Sequence, residues 1–165
     1  MDEFSQALLS SDKNSIIPEE YDWYAPLIGN WDFDYYDSYH GEDRHVKGEW
    51  LFRRVLNGMA IEDLFICPSR DTRDKELQPD GEYGAAIRMF NTEKKCYDMT
   101  YVCSKYTRFL EIQKEHSKII CTDINKPTEK WVFSEITTNT FHWQNVTVLE
   151  NGAWKINSNV YARRK

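Results

Sequence analysis

The residues of this chain that could do chemistry are polar side chains on strand faces that are otherwise aromatic. Apolar positions alternate in each strand-like run, and a few inward positions carry a charge, an amide or a hydroxyl. The candidate ligand-binding set is Trp50, Arg54, Asp63, Arg88, Tyr101, Trp131, Glu135, Trp143, Asn145 and Ser158. An apolar concavity with a few polar anchors is typical of a small-molecule pocket. The same set could also form a structural network in a filled core, because an Arg–Asp pair can be buried without a ligand.

Two kinds of function fit these residues. In a binding protein, Arg88 or Arg54 pairs a carboxylate or other polar head while tryptophans cover an apolar body. In an enzyme, Asp63 or Glu135 is desolvated, has a raised pKa and acts as general acid or base, with Tyr101 assisting. A third interpretation is a structural or interaction protein with a filled interior. We favour the binding protein over the enzyme.

The sequence contains no standard catalytic or metal-binding motif. It has no GxSxG turn, no glycine-rich phosphate loop and no HExxH. The histidines are dispersed, and the cysteines show no CxxC or other metal spacing, so we predict no metal site. In a reducing compartment these cysteines are most simply small buried hydrophobes.

Length and composition predict a single all-β domain. At 165 residues the chain can bury one core, and its 10 Tyr, 8 Phe and 6 Trp recur at alternating positions, which favours strands. The net charge is −6 and the Lys and Arg residues are scattered, so we expect no nucleic-acid partner. The start Met-Asp-Glu lacks the features of a secretory signal, and no apolar run is long enough to span a membrane. We therefore expect a cytoplasmic protein.

The hairpin from Lys47 to Arg70 is predicted to form one wall of the site. Asn57-Gly58 indicates a two-residue type I′ turn, because both residues tolerate positive φ. The register that follows is Trp50 opposite Phe65, Phe52 opposite Asp63, Arg53 opposite Glu62 and Arg54 opposite Ile61. Because side chains alternate between faces, the inner side is aromatic and carries one candidate ion pair, Arg54 and Asp63.

A second two-residue turn is predicted at Asn151-Gly152, near the end of the chain. Both of its strands agree on an inner apolar set, which is Phe141, Trp143, Leu149, Trp154, Ile156 and Val160. In this register Asn145 and Ser158 lie opposite one another inside, where an amide and a hydroxyl need partners. In total we count nine or ten antiparallel strands joined in sequence. Closing such a meander into an up-and-down barrel removes its edges.

The remaining segments surround this barrel. Residues 1–17 are mixed and polar, and we expect a loosely held arm before a barrel domain at 18–165. Pro18-Glu19-Glu20 predicts the start of a short helical segment that plugs or caps the barrel. The charged loop from Pro68 to Gly81 is long enough to act as a lid. The strand from Tyr83 to Phe90 could turn either of its two faces inward. One of these faces carries Gly84, Ala86, Arg88 and Phe90, whose small residues could leave room for a ligand.

The run Gly29-Asn30-Trp31, at the head of the first long strand, resembles the glycine-x-tryptophan signature of the calycin superfamily, which includes lipocalins and fatty-acid-binding proteins. In that superfamily the tryptophan packs at the closed end of the barrel beneath a basic residue from the last strand. The resemblance assigns that role to Arg163 or Arg164, and we take Gly29, Trp31 and Arg163 as the structural signature. From Trp23 to Arg164 the chain resembles bacterial lipocalin-like domains of unknown function, in the motifs Trp50-x-Phe52, Leu56-Asn57-Gly58, Glu62-Asp63, Pro68-x-Arg70, Tyr83-Gly84, Arg88, Trp131-x-Phe133 and Phe141-x-Trp143.

The resemblance implies a calycin-like barrel that binds a small hydrophobic or amphipathic molecule. Its alternative is a calycin-type enzyme, such as a cyclase, isomerase or decarboxylase. We expect no cofactor, because the haem-binding calycins called nitrobindins carry a repeated glycine pattern where this chain has Asp32-Phe33-Asp34-Tyr35. Nitrobindins also need a proximal histidine near the end of the barrel, whereas the parity of His142 places it outside. A homodimer is compatible with an exposed aromatic strand face.

Overall fold

The computed structural model describes all 165 residues, and antiparallel strands dominate it. A short helix, α1 (Glu3–Leu8), leads into a two-residue strand, β1 (Leu9–Ser10). Two 3₁₀ turns follow, at Glu19–Tyr21 and Ala25–Leu27. The long strands are β2 (Gly29–Tyr39), β3 (Glu42–Val55), β4 (Ala60–Cys67), β5 (Glu82–Asn91), β6 (Cys96–Val102), β7 (Thr107–Glu115), β8 (Lys118–Asp123), β9 (Glu129–Ser134), β10 (Thr140–Val148) and β11 (Trp154–Arg164).

The long strands form one closed barrel. Each of them pairs antiparallel with the next along the chain, and β11 pairs with β2 to complete the ring. The short strand β1 pairs with the end of β3. The predicted all-β up-and-down barrel is therefore confirmed, and it has ten strands. Closure pairs both edges of the sheet, which explains how so long a meander avoids open strand edges.

The first predicted hairpin has the register that its turn implies. Trp50 lies opposite Phe65, and Phe52 lies opposite Asp63. Both turn residues, Asn57 and Gly58, adopt positive φ, as a type I′ turn requires. A Cβ at Gly58 would collide with backbone atoms of the N-terminal segment, so that position needs glycine for two reasons.

The last hairpin differs from its prediction by one residue near the turn. Leu149 donates its N–H to the Ala153 carbonyl at 2.9 Å, which makes a three-residue loop instead of a two-residue turn. A bulge at Asn157 then restores the predicted register, in which Asn145 lies opposite Ser158. On β11, side chains on the turn side of the bulge point the other way, so Trp154 and Ile156 are exposed. Leu149 is exposed as well, because it lies past the end of β10 in the loop. The prediction that these three residues are interior is wrong.

The segment before β2 enters one end of the barrel. Tyr24 and Leu27 are fully buried, and the Tyr24 ring stands edge-on to Tyr97 with its centroid 5.6 Å away. The segment forms short 3₁₀ turns rather than a longer helix, because Pro26 lacks an N–H and interrupts helical hydrogen bonding. Upstream of it, Ile17 is also fully buried. None of the helical segments has the length and apolar character of a membrane-crossing helix.

Glu49 forms a well-bonded ion pair with Arg70 and Lys165. Its carboxylate accepts the Arg70 Nε–H at 2.6 Å and the Lys165 ammonium at 3.1 Å, and its side chain is only 3% exposed. The hydrogen bonds from Arg70 lower the pKa of Glu49 to about 2, against burial, which raises it. Since the folded pKa lies below the unfolded value, the unfolded chain binds the proton more readily in acid. The stability contributed by Glu49 is therefore present at neutral pH and is lost as pH falls from about 5 towards 2.

We expect Glu49→Gln to lower the free energy of unfolding at pH 7 by about 2–3 kcal/mol. The difference from the wild-type protein should shrink as the pH approaches 3, because Glu49 of the unfolded wild-type chain then takes up a proton while the folded carboxylate, with its lower pKa, remains ionised. Urea unfolding of both proteins between pH 3 and 7 measures this difference. Glu93→Gln, at an exposed position without an ion pair, serves as the control. A difference that does not change with pH would contradict the assigned pKa.

Candidate functional site

A cavity of about 150 Å³ lies inside the barrel. Its lining is aromatic over most of the wall, with a small number of charged and polar groups. The lining residues are Tyr35, Trp50, Asp63, Phe65, Glu82, Ala86, Arg88, Met99, Tyr101, Tyr106, Trp131, Phe133, Trp143, Asn145 and Ser158. An apolar wall with a few convergent polar groups is the usual character of a small-molecule site.

Asp63 and Arg88 form a buried ion pair in the cavity wall. Asp63 projects inward from β4 and Arg88 from β5, and the side chain of each is 1% exposed. Asp63 accepts a hydrogen bond from Arg88 on one oxygen and from the Trp50 indole N–H on the other, the latter at 2.7 Å. Burial raises the pKa of Asp63, and the Arg88 guanidinium and the Trp50 N–H oppose that rise. Both carboxylate oxygens are thus already bonded within the protein.

The Arg88 guanidinium is enclosed by rings. Its central carbon lies 4.7 Å from the ring centroid of Tyr24 and 5.7 Å from that of Phe52, so aromatic faces support the cation. The Nε–H of Arg88 is buried without a hydrogen-bond partner. The N-terminal 3₁₀ segment therefore supplies part of the floor beneath the ion pair, through Tyr24.

Glu82 is the second carboxylate of the cavity. One of its oxygens accepts hydrogen bonds from the phenol groups of Tyr101 and Tyr106, the latter at 3.1 Å. Burial and the neighbouring Glu82 raise the pKa of Tyr101. This phenol therefore stays protonated and donates a hydrogen bond to Glu82. A Cβ at Gly84 would overlap the Tyr101 ring, so a glycine on β5 is what allows Tyr101 to reach Glu82.

Three tryptophans form a continuous part of the cavity wall. The Trp50 and Trp143 rings lie 5.7 Å apart, and the Trp143 and Trp131 rings lie 6.2 Å apart. Tyr101 stands edge-on to Trp131 at 5.2 Å. Asn145 lies beside them, and its Oδ1 accepts a hydrogen bond at 3.1 Å from the amide of the bulge residue Asn157.

The structure brings together eight of the ten residues in the sequence-predicted binding set. They are Trp50, Asp63, Arg88, Tyr101, Trp131, Trp143, Asn145 and Ser158. The inward parity of β5 is the one on which Gly84, Ala86, Arg88 and Phe90 are buried. Alternation along the strands is what brings these residues to the cavity wall.

Arg54 and Glu135 lie outside the cavity. Arg54 pairs with Asp22 of the N-terminal segment, through hydrogen bonds of 2.8 and 3.0 Å. Glu135 is exposed, because β9 ends at Ser134 and the chain turns there with a φ of 49° at Glu135. The prediction that Glu135 points inward is wrong, because it applied the alternation of the strand to a residue one position past its end.

A basic residue of the last strand covers Trp31, and it is Arg164. The Arg164 guanidinium lies 4.2 Å from the centroid of the Trp31 ring, and Trp31 donates its indole N–H to the Leu27 carbonyl at 2.8 Å. Arg163 points outward and pairs with Asp34. Gly29 has a φ of 137°, and a Cβ there would collide with Arg164. The assignment of this role to Arg163 is corrected to Arg164, which lies opposite Trp31 in the β11–β2 ladder.

The set derived from the sequence missed several lining residues, and Glu82 is the most important of them. Glu82 shares the parity of Gly84, so its inward direction was available once that parity was chosen. Tyr106 precedes β7 in a connection whose path the sequence pattern does not fix. The other lining residues outside that set are Tyr35, Phe65, Ala86, Met99 and Phe133, of which Ala86 was predicted as an inward position of its strand.

A smaller cavity of about 50 Å³ adjoins the first and shares Tyr35, Phe65 and Glu82 with it. The end of the loop at residues 68–81 borders this space, and Arg44 of β3 holds that loop to the barrel. The Arg44 guanidinium binds Asp37 of β2 at 2.6 Å and Asp80 of the loop at 2.7 Å. The predicted lid loop is thus tied to two barrel strands next to the site.

One cluster outside the cavity has the composition of a metal site. Cys96, Asp98 and Glu111 bring their ligand atoms within 4.8 Å of one another. The Lys94 ammonium lies 3.2 Å from a carboxylate oxygen of each acidic residue. A cationic side chain therefore already offsets part of the negative charge of these carboxylates.

Comparison with known proteins adds a structural likeness only. No protein-family model matches the sequence, and no curated protein matches it. The chain is similar in structure to Rv2717c from M. tuberculosis, known from a crystal structure, with a TM-score of 0.59. The likeness covers 93% of this chain and 99% of that chain, at 8% sequence identity. At this identity the likeness supports the barrel fold and carries no functional assignment.

Proposed function

We propose that this chain is a calycin-like binding barrel that holds a molecule built on one small ring. The observation that carries the proposal is the cavity of about 150 Å³, with three tryptophans and three tyrosines in its wall and with Glu82, Asn145 and Ser158 beside them. An enclosed space of this chemistry binds apolar rings well and orients them through its polar groups.

The size of the cavity narrows the ligand class. An engineered cavity of about 150 Å³ in another protein accommodates benzene, whereas pockets for drug-sized ligands have about 300 Å³ or more. A ring with a short substituent matches this space, and a long fatty-acid chain does not. The broader expectation of a hydrophobic or amphipathic ligand therefore narrows to small cyclic compounds.

Binding explains the bonding of Asp63 better than catalysis does. The raised pKa of Asp63, caused by burial, favours an enzyme with Asp63 as general acid or base. However, both Asp63 oxygens are bonded, to Trp50 and Arg88, and an acid–base group must reach its substrate directly or through one water. Asp63 is better suited to holding Trp50 and Arg88 in the cavity wall.

Filling the cavity tests the proposal. Ala86 faces the cavity, and its neighbour Ala85 lies on the outer face of the same strand. We expect isothermal titration calorimetry to detect binding of a one-ring probe from the series benzylamine, benzyl alcohol and benzoate. Ala86→Leu should weaken the binding of that probe at least about tenfold, because the larger side chain occupies the space of the ring.

Ala85→Leu is the matched control, because it adds the same side chain outside the barrel, and it should leave the affinity within about twofold. Thermal unfolding of each variant verifies that it is folded. Failure of all three probes to bind the wild-type protein at millimolar concentration would overturn the proposal. So would equal affinity in the Ala86→Leu variant.

A further inference from the structure

The charges of the cavity do not cancel. Asp63 and Glu82 each contribute −1 and Arg88 contributes +1, which leaves −1 among the lining residues. Arg88 forms an ion pair with Asp63, so the negative charge without a counter-charge is that of Glu82. The hydrogen bonds that Glu82 receives from side chains come from two neutral phenols, both on its Oε1, and no cationic side chain binds it.

The cations nearest to the mouth are committed to other carboxylates or carbonyls. Arg44 binds Asp37 and Asp80, and Lys105 donates to the Asp80 carbonyl. Arg44 and Lys105 carry two positive charges, and Asp37 and Asp80 carry two negative charges. These four side chains therefore add no net positive charge that would offset Glu82.

Aromatic faces line the space beside this carboxylate. Tyr101 and Tyr106 touch Glu82 directly, and Trp131 stands against Tyr101. Ring faces carry a negative electrostatic potential, so they attract a cation and repel an anion. Carboxylate and rings thus favour the same sign of charge in a bound molecule.

Both arginines that could receive an anionic ligand already pair with a carboxylate, and the Nε–H of Arg88 is left without a partner. Arg88 pairs with Asp63 inside the wall, and Arg54 pairs with Asp22 outside the cavity. An anionic head in this cavity would face Glu82 without an available counter-charge. The charges of the cavity therefore disfavour the ligand carboxylate that the sequence suggested.

We propose that the cavity selects an organic cation, a small ring carrying a protonated amine, with its ammonium group against Glu82 and its ring against the tryptophans. This inference rests on the proposed binding function and specifies its ligand class. The ammonium would donate to the Glu82 oxygen that accepts no side-chain hydrogen bond, and the phenols of Tyr101 and Tyr106 would keep the carboxylate in position.

Three compounds of nearly equal size and different charge test the inference. They are benzylamine, which is cationic at neutral pH, benzyl alcohol, which is neutral, and benzoate, which is anionic. We expect calorimetry at pH 7 and low salt to show benzylamine binding at least about tenfold more tightly than benzyl alcohol, with benzoate weakest. The Ala86→Leu variant distinguishes the cavity from adventitious surface binding.

Glu82→Gln tests the assignment of the cation to its partner. An amide oxygen can still accept from both phenols, so the fold should persist, and near-UV circular dichroism verifies it. The preference for benzylamine over benzyl alcohol should fall to about threefold or less. Glu76→Gln removes one charge from an exposed position of the lid loop and should leave the preference unchanged.

The outcomes separate the two proposals. Equal or tighter binding of benzyl alcohol or benzoate would overturn the cationic ligand class and leave the binding function standing. An unchanged preference in Glu82→Gln would overturn the role of Glu82. If none of the three compounds binds, the binding function itself fails, and the cation inference fails with it.

Discussion

Replacing Asp63 with alanine is expected to lower the free energy of unfolding by about 3–5 kcal/mol, the largest stability loss predicted for this chain. The substitution leaves the Arg88 guanidinium, which is 1% exposed, without a counter-charge. It also removes the acceptor of the Trp50 indole N–H. A buried cation without a partner keeps its full desolvation penalty, which is why the expected loss exceeds that of an ordinary hydrogen bond. Urea unfolding at pH 7 measures it.

Two further variants test whether that loss comes from the unpaired charge of Arg88. Asp98→Ala removes a carboxylate from a pair with Lys94 whose side chains are 45% and 52% exposed, and it should cost less than about 1 kcal/mol. Asp63→Leu combined with Arg88→Met removes both charges, and it should be at least about 2 kcal/mol more stable than Asp63→Ala. A double variant no more stable than Asp63→Ala would contradict the unpaired-charge explanation.

The barrel and much of its site were predictable because they follow from short-range rules. Asn57-Gly58 fixes the turn, the turn fixes the register, and the register places Trp50 and Asp63 on the same face. The same alternation carries from one strand to the next, so Tyr101 and Trp143 also fall inside. Closure of the sheet was predictable because an open meander of nine or ten strands would leave two unpaired edges.

The errors occur where a strand ends or gains a residue. Glu135 lies one residue past β9, where the chain leaves the ladder, so alternation no longer determines its direction. The bulge at Asn157 reverses parity over the turn side of the last hairpin and exposes Trp154. Neither event has a strong local signature in the sequence. The pairing of Arg54 with Asp22 was also unpredictable, because it joins segments 32 residues apart.

The one-residue choice between Arg163 and Arg164 leads to the second large expected effect. We expect Arg164→Ala to lower the free energy of unfolding by about 2–4 kcal/mol. The Arg164 guanidinium donates to the carbonyls of Thr138, Ile28 and Pro26 at 2.6, 2.8 and 2.7 Å, and it covers the fully buried Trp31 ring. Its removal leaves three acceptors and one aromatic face without their partner.

Arg163→Ala is the matched control, because it deletes the same side chain one position earlier. Arg163 is 60% exposed and pairs with Asp34 on the outer surface, so its loss should cost less than about 1 kcal/mol. Arg164→Lys should lie between the two, since an ammonium lacks the planar fork that reaches several carbonyls. Equal losses for the two alanine variants would contradict the assignment of this stabilising role to Arg164 alone. A larger loss for Arg164→Ala would show that the Arg164 guanidinium, and not that of Arg163, ties the N-terminal segment to the β9–β10 connection beside Trp31.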